Sequence, residues 1–536
     1  MTHKLILISL LLFGLGLRVF HLDLRPLGFS WDEAALGYNA YSLLKTGRDE
    51  HGQAAPIVFK SFGDFKPGLY IYFAVPSVAL LGLSEFSTRL PSALFGTLSI
   101  ALVYILARLL LSRSAATYSA LLLAINPWAI HFSRGAWESN VSLSLTLLGS
   151  VLFLRRKFLA AAVFFGLTFW TYQGAKLFTP LLFLALVLLN YRTLIIKSLF
   201  RPAVVLFLLG LPILLGSVTQ SGRLKVFSVF SYTRPPSVIS EILRQDGTAS
   251  KDQPFYVFHS ESLDQLRGVL QRYLNHFSPR FIFTEGDWSN PRQATPFYGY
   301  LHLPEILTLI LGLFVILNRQ VDKSRFLNHK SLILAWLLLA PIPSALSRDI
   351  ISAVRSLPLM IPLVLISGFG LSRLASRKLL LAPFLILLAV FTAYYLDLYF
   401  IHSPFYTASG WLYPYRPAMA LVANHLSDYS KVVISDKLGQ PYIFTLFYLK
   451  INPRDYQGKS AIVDSPVGDV GRVSSFGKFK FRPIFWPADR GLTGTLFVGD
   501  AYELPESDLQ STPNLIRLGD LTPPDGYPAW RVVALP

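Results

Sequence analysis

Eleven stretches of this chain are so rich in Leu, Ile, Val and Phe that the hydrocarbon of a bilayer is their natural solvent. They run from about 4 to 22, 89 to 111, 115 to 133, 140 to 154, 158 to 172, 177 to 190, 202 to 218, 301 to 318, 331 to 346, 354 to 373 and 379 to 398. A backbone in lipid must satisfy its polar groups internally, so such runs are read as helices. The expectation is a mainly α, polytopic transmembrane bundle of about eleven spans. Composition agrees, since 52% of the 536 residues are hydrophobic and 15% are charged. Several runs are short for hydrocarbon about 30 Å thick, which predicts tilt or local thinning. The formal net charge of +18 suggests nucleic acid at first sight. The Lys and Arg residues fall mostly in short gaps between apolar runs, however, where they orient spans, so no nucleic-acid partner is expected. With no cysteine there is no disulfide, thiol chemistry or thiolate metal site. Leu5 to Val19 lacks a small-residue cleavage site before Arg25-Pro26 and reads as an uncleaved first span.

The segment 68 to 84, "GLYIYFAVPSVALLGLS", decides the topology. Treated as interfacial or re-entrant, it leaves Arg108/Arg113, "RRK" at 155 to 157, Arg192/Lys197/Arg201, "NRQVDKSR" at 318 to 325 and Arg373/Arg377/Lys378 on the side of Lys4. That is the positive-inside pattern of a plasma-membrane protein with its N-terminus cytoplasmic and its C-terminus outside. Outside then lie a large first loop (23 to 88), short segments at 134 to 139, 171 to 176 and 347 to 353, and a long loop from 219 to 300. Beyond 399 the pattern changes. "KVVISDKLGQPYIFTLFYLKI" reads as strand, turn, then helix or strand, and "TGTLFVGD" and "WRVVALP" read as strands. The predicted organisation is a membrane domain over 1–398 and a small extracytoplasmic α/β domain over 399–536.

Charges on the outer side have no orienting role, and at a bundle edge they commonly mark substrate sites. Asp32 and Glu33 follow Ser30 in "GFSWDEAALGYNAYSLL". A helix beginning there would use Ser30 as N-cap and Glu33 as its capping-box partner, a structural reading that leaves Asp32 unexplained. Lys66 in "GDFKPGLYIY" is either a headgroup-level anchor or a cation for a lipid phosphate. Arg134 and Glu138 are four apart, the spacing of a helical ion pair, so they are either a structural pair or part of a site. Arg348 and Arg355, seven apart in "SRDIISAVRSLP", would share one helical face, with Asp349 able to pair with either. His276 in "NHFSPRFIF" is a loop histidine that is either structural or a ligand. Trp288 and Tyr298 either line an acceptor site or pack. Carboxylates and cations together at the outer edge suit a lipid-linked phosphate, the cations taking its charge and a carboxylate activating a second group.

The short first span, "WDE" in the first outer loop, "KP" followed by "GLYIY", and an Arg plus acid after the third span resemble the GT-C glycosyltransferases. They are similar to the bacterial branch containing protein O-mannosyltransferases and lipid A aminoarabinose transferases. The likeness runs from about residue 10 to 400, and "NHFSPRFIF … RQATPFYGYLHLPE" fits the family's large outer loop. It implies transfer of a sugar from a polyprenyl phosphate, with inversion, to a protein hydroxyl, lipid A or a cell-surface glycan at the outer face. It further implies Asp32 as catalytic base, Glu33 as its acidic neighbour, Glu138 as a further acid shifted by one position, and Lys66 as the lysine of the family's Glu-Lys-Pro motif; the chemistry of the residues agrees, with Lys66, Arg134, Arg348 and Arg355 compensating the donor phosphate's charge in place of a general acid. Phe65 stands where the aminoarabinose transferases carry a glutamate used toward a metal. Asp64 could replace it, with His276 as partner, which leaves a divalent metal open. The alternatives are a transporter of lipid-linked sugars, which would carry polar groups through the membrane and paired halves, and an assembly protein using its tail to hold partners.

Overall fold

The structure, a computed structural model, describes residues 2–62, 64–191, 196–219, 234–318, 326–460, 462–463 and 471–536. Its first half is helical apart from one hairpin: α1 (Thr2–Val19), α2 (Trp31–Thr46), strands β1 (Val58–Ser61) and β2 (Asp64–Pro67), then α3 (Leu69–Leu81), α4 (Glu85–Leu110), α5 (Arg113–Ile125), α6 (Pro127–Ser133), α7 (Glu138–Leu154), α8 (Phe158–Phe169), α9 (Ala175–Asn190) and α10 (Phe200–Thr219). Further apolar helices cover Glu305–Leu317, Phe326–Leu339, Met360–Leu374 and Lys378–Asp397. This is a mainly α, polytopic membrane protein with a small β-rich region toward its C-terminus.

The count of eleven spans does not hold. By length and apolarity three helical stretches among the described residues can cross a membrane: Glu85–Leu110, Leu357–Leu374 and Lys378–His402. A fourth exists if α6 and α7, bent by 117°, form one broken span. Other apolar helices, among them Leu69–Leu81, Phe158–Phe169, Ala175–Asn190 and Glu305–Leu317, have only 10–17 residues, and two of the breaks have a local cause. The run 115–133 breaks at Asn126, whose side chain accepts the Ala129 N–H as an N-cap while Pro127 opens α6. The run 331–346 breaks before Pro341 and Pro343. The α3 helix has 13 residues and is about 20 Å long, short of the hydrocarbon thickness. The basic clusters at 192 and 319–325 lie outside the described residues.

Where helices cross closely, glycine permits it. A Cβ on Gly370 would stand 1.8 Å from the Thr308 carbonyl oxygen, and one on Gly312 would stand 2.0 Å from that of Ile366. Beside this contact the Thr308 and Ser367 hydroxyls bond at 2.6 Å, and Ser367 donates to Glu305.

The strands expected after 399 are present. Six strands, β3 (Lys431–Ile434), β4 (Ser475–Phe476), β5 (Phe479–Phe481), β6 (Thr495–Asp500), β7 (Ile516–Leu521) and β8 (Trp530–Leu535), form a mixed sheet in the order β4-β5-β3-β6-β8-β7, with β3 parallel to β5 and β6, and β8 antiparallel to β6 and β7. Both faces of its centre are apolar. Val433, Phe497 and Val533 point into a small core with Trp486 and Leu504. Val432, Ile434, Leu496, Val498 and Val532 point the other way, into a core shared with Phe29, Ala34, Tyr38 and Tyr70 of the first loop and of α2 and α3. Between them lies the helix Pro441–Tyr448, whose Phe447 ring meets Phe29 at 4.7 Å.

Candidate active site

The expected capping box forms. Ser30 caps α2, its hydroxyl accepting the Glu33 N–H at 3.3 Å while the Ser30 N–H donates to Glu33 Oε2 at 3.1 Å. The same carboxylate does more. The Arg89 guanidinium of α4 donates to Oε1 at 2.8 Å and to Oε2 at 3.2 Å, and the Ala136 N–H donates to Oε1 at 2.9 Å. Arg89 is itself fully buried and donates to the carbonyls of Leu22, Pro26 and Gly28. Glu33 is thus saturated and fixed, joining α2, α4 and the α6–α7 corner. Its position presents the preceding residue, Asp32, at a half-open surface. There the Asp32 carboxylate pairs with the Lys66 ammonium, which lies over the Phe62 ring.

The region bearing Lys66 is tied to a neighbouring turn. Gln173 donates to the Phe65 carbonyl at 3.1 Å and the Leu69 N–H donates to the Trp170 carbonyl at 2.9 Å, binding the 170–174 turn to the Lys66 strand. Tyr172 and Gly174 then line a small cleft with Ser139, Ser142 and Thr146 of α7 and with Arg355. Its enclosed part holds about 20 Å³, room for one water. Glu138, half-buried at the start of α7, lies beside Ser139. Arg292 lies over the ring of Trp31, the residue before Asp32, at 5.8 Å.

The structure brings Asp32 and Lys66 into contact, and places Arg355 on the wall of the small cleft beside α7, with Glu138 at the start of that helix. It does not bring in Arg134. That residue caps α6 at the sharp corner before α7, so it and Glu138 are not one helical turn apart. Its buried guanidinium donates to the carbonyls of Leu17, Phe20, His21 and Arg25, closing the end of α1 against the corner. Arg348 is exposed, and no helix covers 348–356, so it and Arg355 share no helical face. Asp349 pairs with Arg355.

His276 is buried with both ring nitrogens in use, Nδ1 donating to the Arg272 carbonyl at 2.7 Å and Nε2 facing the Ser352 N–H at 3.5 Å. Burial lowers its pKa to about 4, so it is neutral and available to neither solvent nor metal. Among the described residues no group of three or more His, Cys, Asp or Glu could hold a metal ion. The side chain of Asp64 lies outside the described residues. His276, with both ring nitrogens engaged, does not fit a metal ligand here, and no chemistry is routed through a metal. Tyr298 packs, its hydroxyl bonded to His302 and donating to the Phe391 carbonyl. Trp288 is covered by Arg280.

The sequence reading missed Arg89, although an arginine at the outer start of an apolar run was a signal that the orienting rule does not explain. It also missed Arg292, Asp287 and Gln293, and Glu50. Glu50 sits in the turn after α2, fully buried, with Oε1 accepting from Asn39 at 3.3 Å and Oε2 without a hydrogen bond. Burial raises its carboxyl to about 8; Asp49 adds to this, and Asn39 and Lys66 oppose it.

A family model described as dolichyl-phosphate-mannose-protein mannosyltransferase matches residues 66–215. No curated protein matches. Among solved structures, ArnT from Cupriavidus metallidurans bound to undecaprenyl phosphate superposes with a TM-score of 0.54 at 14% identity, over 99% of this chain and 99% of that one. Its apo state gives the same TM-score and identity over 99% and 98%. A likeness at this identity is one of fold alone.

Proposed function

We propose that this chain is a membrane glycosyltransferase that moves a sugar from a polyprenyl phosphate to an acceptor hydroxyl on the extracytoplasmic face, with inversion at the anomeric carbon. The acceptor is a protein, lipid A or another cell-surface glycan. The observation that carries the reading is the Asp32–Lys66 pair, a carboxylate and an ammonium in contact at the half-open edge of a membrane bundle. The fold and the family model over 66–215 add support, since a structure of the same fold was solved bound to undecaprenyl phosphate.

In this mechanism Lys66 and Arg355 turn from Asp32 and Asp349 to the donor phosphate, with Arg292 and the exposed Arg348 adding to the positive field. A phosphate whose charge is compensated leaves without a proton. Asp32, released from Lys66, takes the proton of the acceptor hydroxyl as it attacks, and Glu138 orients the acceptor. Glu33 does not react; it holds Asp32 in place. Arg134 we assign to holding the end of α1. The N-terminus is cytoplasmic, 1–398 forms the membrane unit, and 399–536 an extracytoplasmic unit seated on α2.

The test is sugar transfer from radiolabelled polyprenyl-phosphate sugars by the protein in membranes, wild type against Asp32→Asn. Loss of about 10²- to 10⁴-fold with the donor still bound is the expected result for a general base. Equal turnover removes Asp32 from the mechanism. Binding of every donor without transfer by the wild type would favour a transporter of lipid-linked sugars.

A further inference from the structure

The segment 347–356 joins two membrane helices and carries Arg355, yet 348–352 has neither helix nor strand. Ile351, Ser352 and Ala353 are nonetheless buried. Buried backbone groups need partners, and here side chains of the long outer loop supply them. Three consecutive N–H groups each face one such side chain: Ser352 faces His276 Nε2 at 3.5 Å, Ala353 donates to Asp287 Oδ2 at 3.0 Å, and Val354 donates to Gln293 Oε1 at 2.8 Å. Two carbonyls are taken as well, Ile350 by Asn275 Nδ2 at 3.2 Å and Ile351 by Ser289 Oγ at 3.2 Å.

The holding groups are themselves held. Asp287 Oδ1 accepts from the Ser289 hydroxyl and from the Ser289 and Asn290 N–H groups. His276 is anchored through Nδ1 to the Arg272 carbonyl, and Arg272 donates to the Ala345 carbonyl. All three acceptors are at least nine-tenths buried. The grip ends at Val354, one residue before Arg355, and both residues line the cleft with Ser139 and Tyr172. A cation fixed so close to its Cα reaches a phosphate with little ordering cost, whereas a slack loop would let it wander.

We propose that His276, Asp287 and Gln293 are positioning residues for the donor phosphate, clamping the backbone at 352–354 so that Arg355 stands at the cleft wall. This rests on the reading of Arg355 as a phosphate ligand given above. The clamp explains why the outer loop spends three buried polar side chains on a segment that no regular structure supports.

The test uses the full-length protein in nanodiscs with undecaprenyl phosphate as the probe, together with hydrogen exchange over 350–356 and steady-state transfer. Gln293→Leu removes one acceptor, and Gln293→Glu retains one. The expected result for Gln293→Leu is faster exchange at 352–354 and a rise in donor Kd and KM of about 10- to 10²-fold, kcat changing far less, with Gln293→Glu restoring most of the loss. Should Gln293→Leu fail to fold, Asn275→Ala, which frees only the Ile350 carbonyl, is expected to show the same shift at smaller size. Faster exchange with donor KM unchanged overturns the positioning role while Arg355 keeps its own. Wild-type protein that does not bind the probe, or Arg355→Ala that binds it normally, overturns the underlying reading and this inference with it.

Discussion

Two neighbouring acids in one turn of α2 have opposite fates, and their surroundings decide which. Glu33 receives five hydrogen bonds in a buried pocket, two of them from Arg89. Removing one member of such a pair strands the other's charge, which costs about 3–5 kcal/mol. Arg89→Met is therefore expected to lower the unfolding midpoint in detergent sharply, and adding Glu33→Gln to recover part of the loss. A thermal unfolding series of the two single variants and the double variant checks this. Glu50 makes a different prediction. Its folded pKa of about 8 lies above its ordinary value of 4.5, so the folded state holds a proton that the unfolded state has released throughout that window. Stability must then fall as pH rises from about 4.5 to about 8 and stay low above it. Glu50→Gln is expected to flatten this slope and to unfold at higher temperature than the wild type near pH 8; parallel slopes in the two proteins would refute the assignment.

At the scale of elements, local signals were legible and distant partners were not. Ser30 and Glu33 are three residues apart, so the capping box could be read directly. Arg89 is 56 residues from Glu33, and nothing in either neighbourhood names the other. Asn126-Pro127 carried its own helix-start signal, but the apolar residues around it filled a hydropathy window and hid the break. Arg348 and Arg355 had helical spacing, but the side chains that capture the intervening N–H groups come from residues 276 to 293 and hold the segment in an irregular path. Glycine gives the clearest test at this scale. The Cβ of Gly370→Val would be driven into backbone at Thr308 and Gly312 rather than into a flexible side chain. The helices Glu305–Leu317 and Met360–Leu374 would have to part, a strain of about 1–3 kcal/mol or more. Loss of monodisperse protein on size exclusion is expected, with Gly16→Val, where a Cβ meets nothing within 4 Å, as the unaffected control.

For the whole molecule, the β-rich region is seated on the site rather than appended to it. Its sheet shares a core with α2, Tyr38 donates to the Ile451 carbonyl at 3.0 Å, and Tyr448 donates to Glu85 at 2.6 Å, next to the Arg89 that holds Glu33. The sequence marked the strands and the change of composition after 399, but not this docking, because the contacts join surfaces whose apolar residues read as ordinary core on each side. The docking also sets a schedule. Tyr38 leaves the ribosome 413 residues ahead of the carbonyl that it grips, so the helix bearing Asp32 waits through most of translation for its last wall. A chain stalled or cut short in between carries the Asp32–Lys66 pair without the wall that packs against its helix.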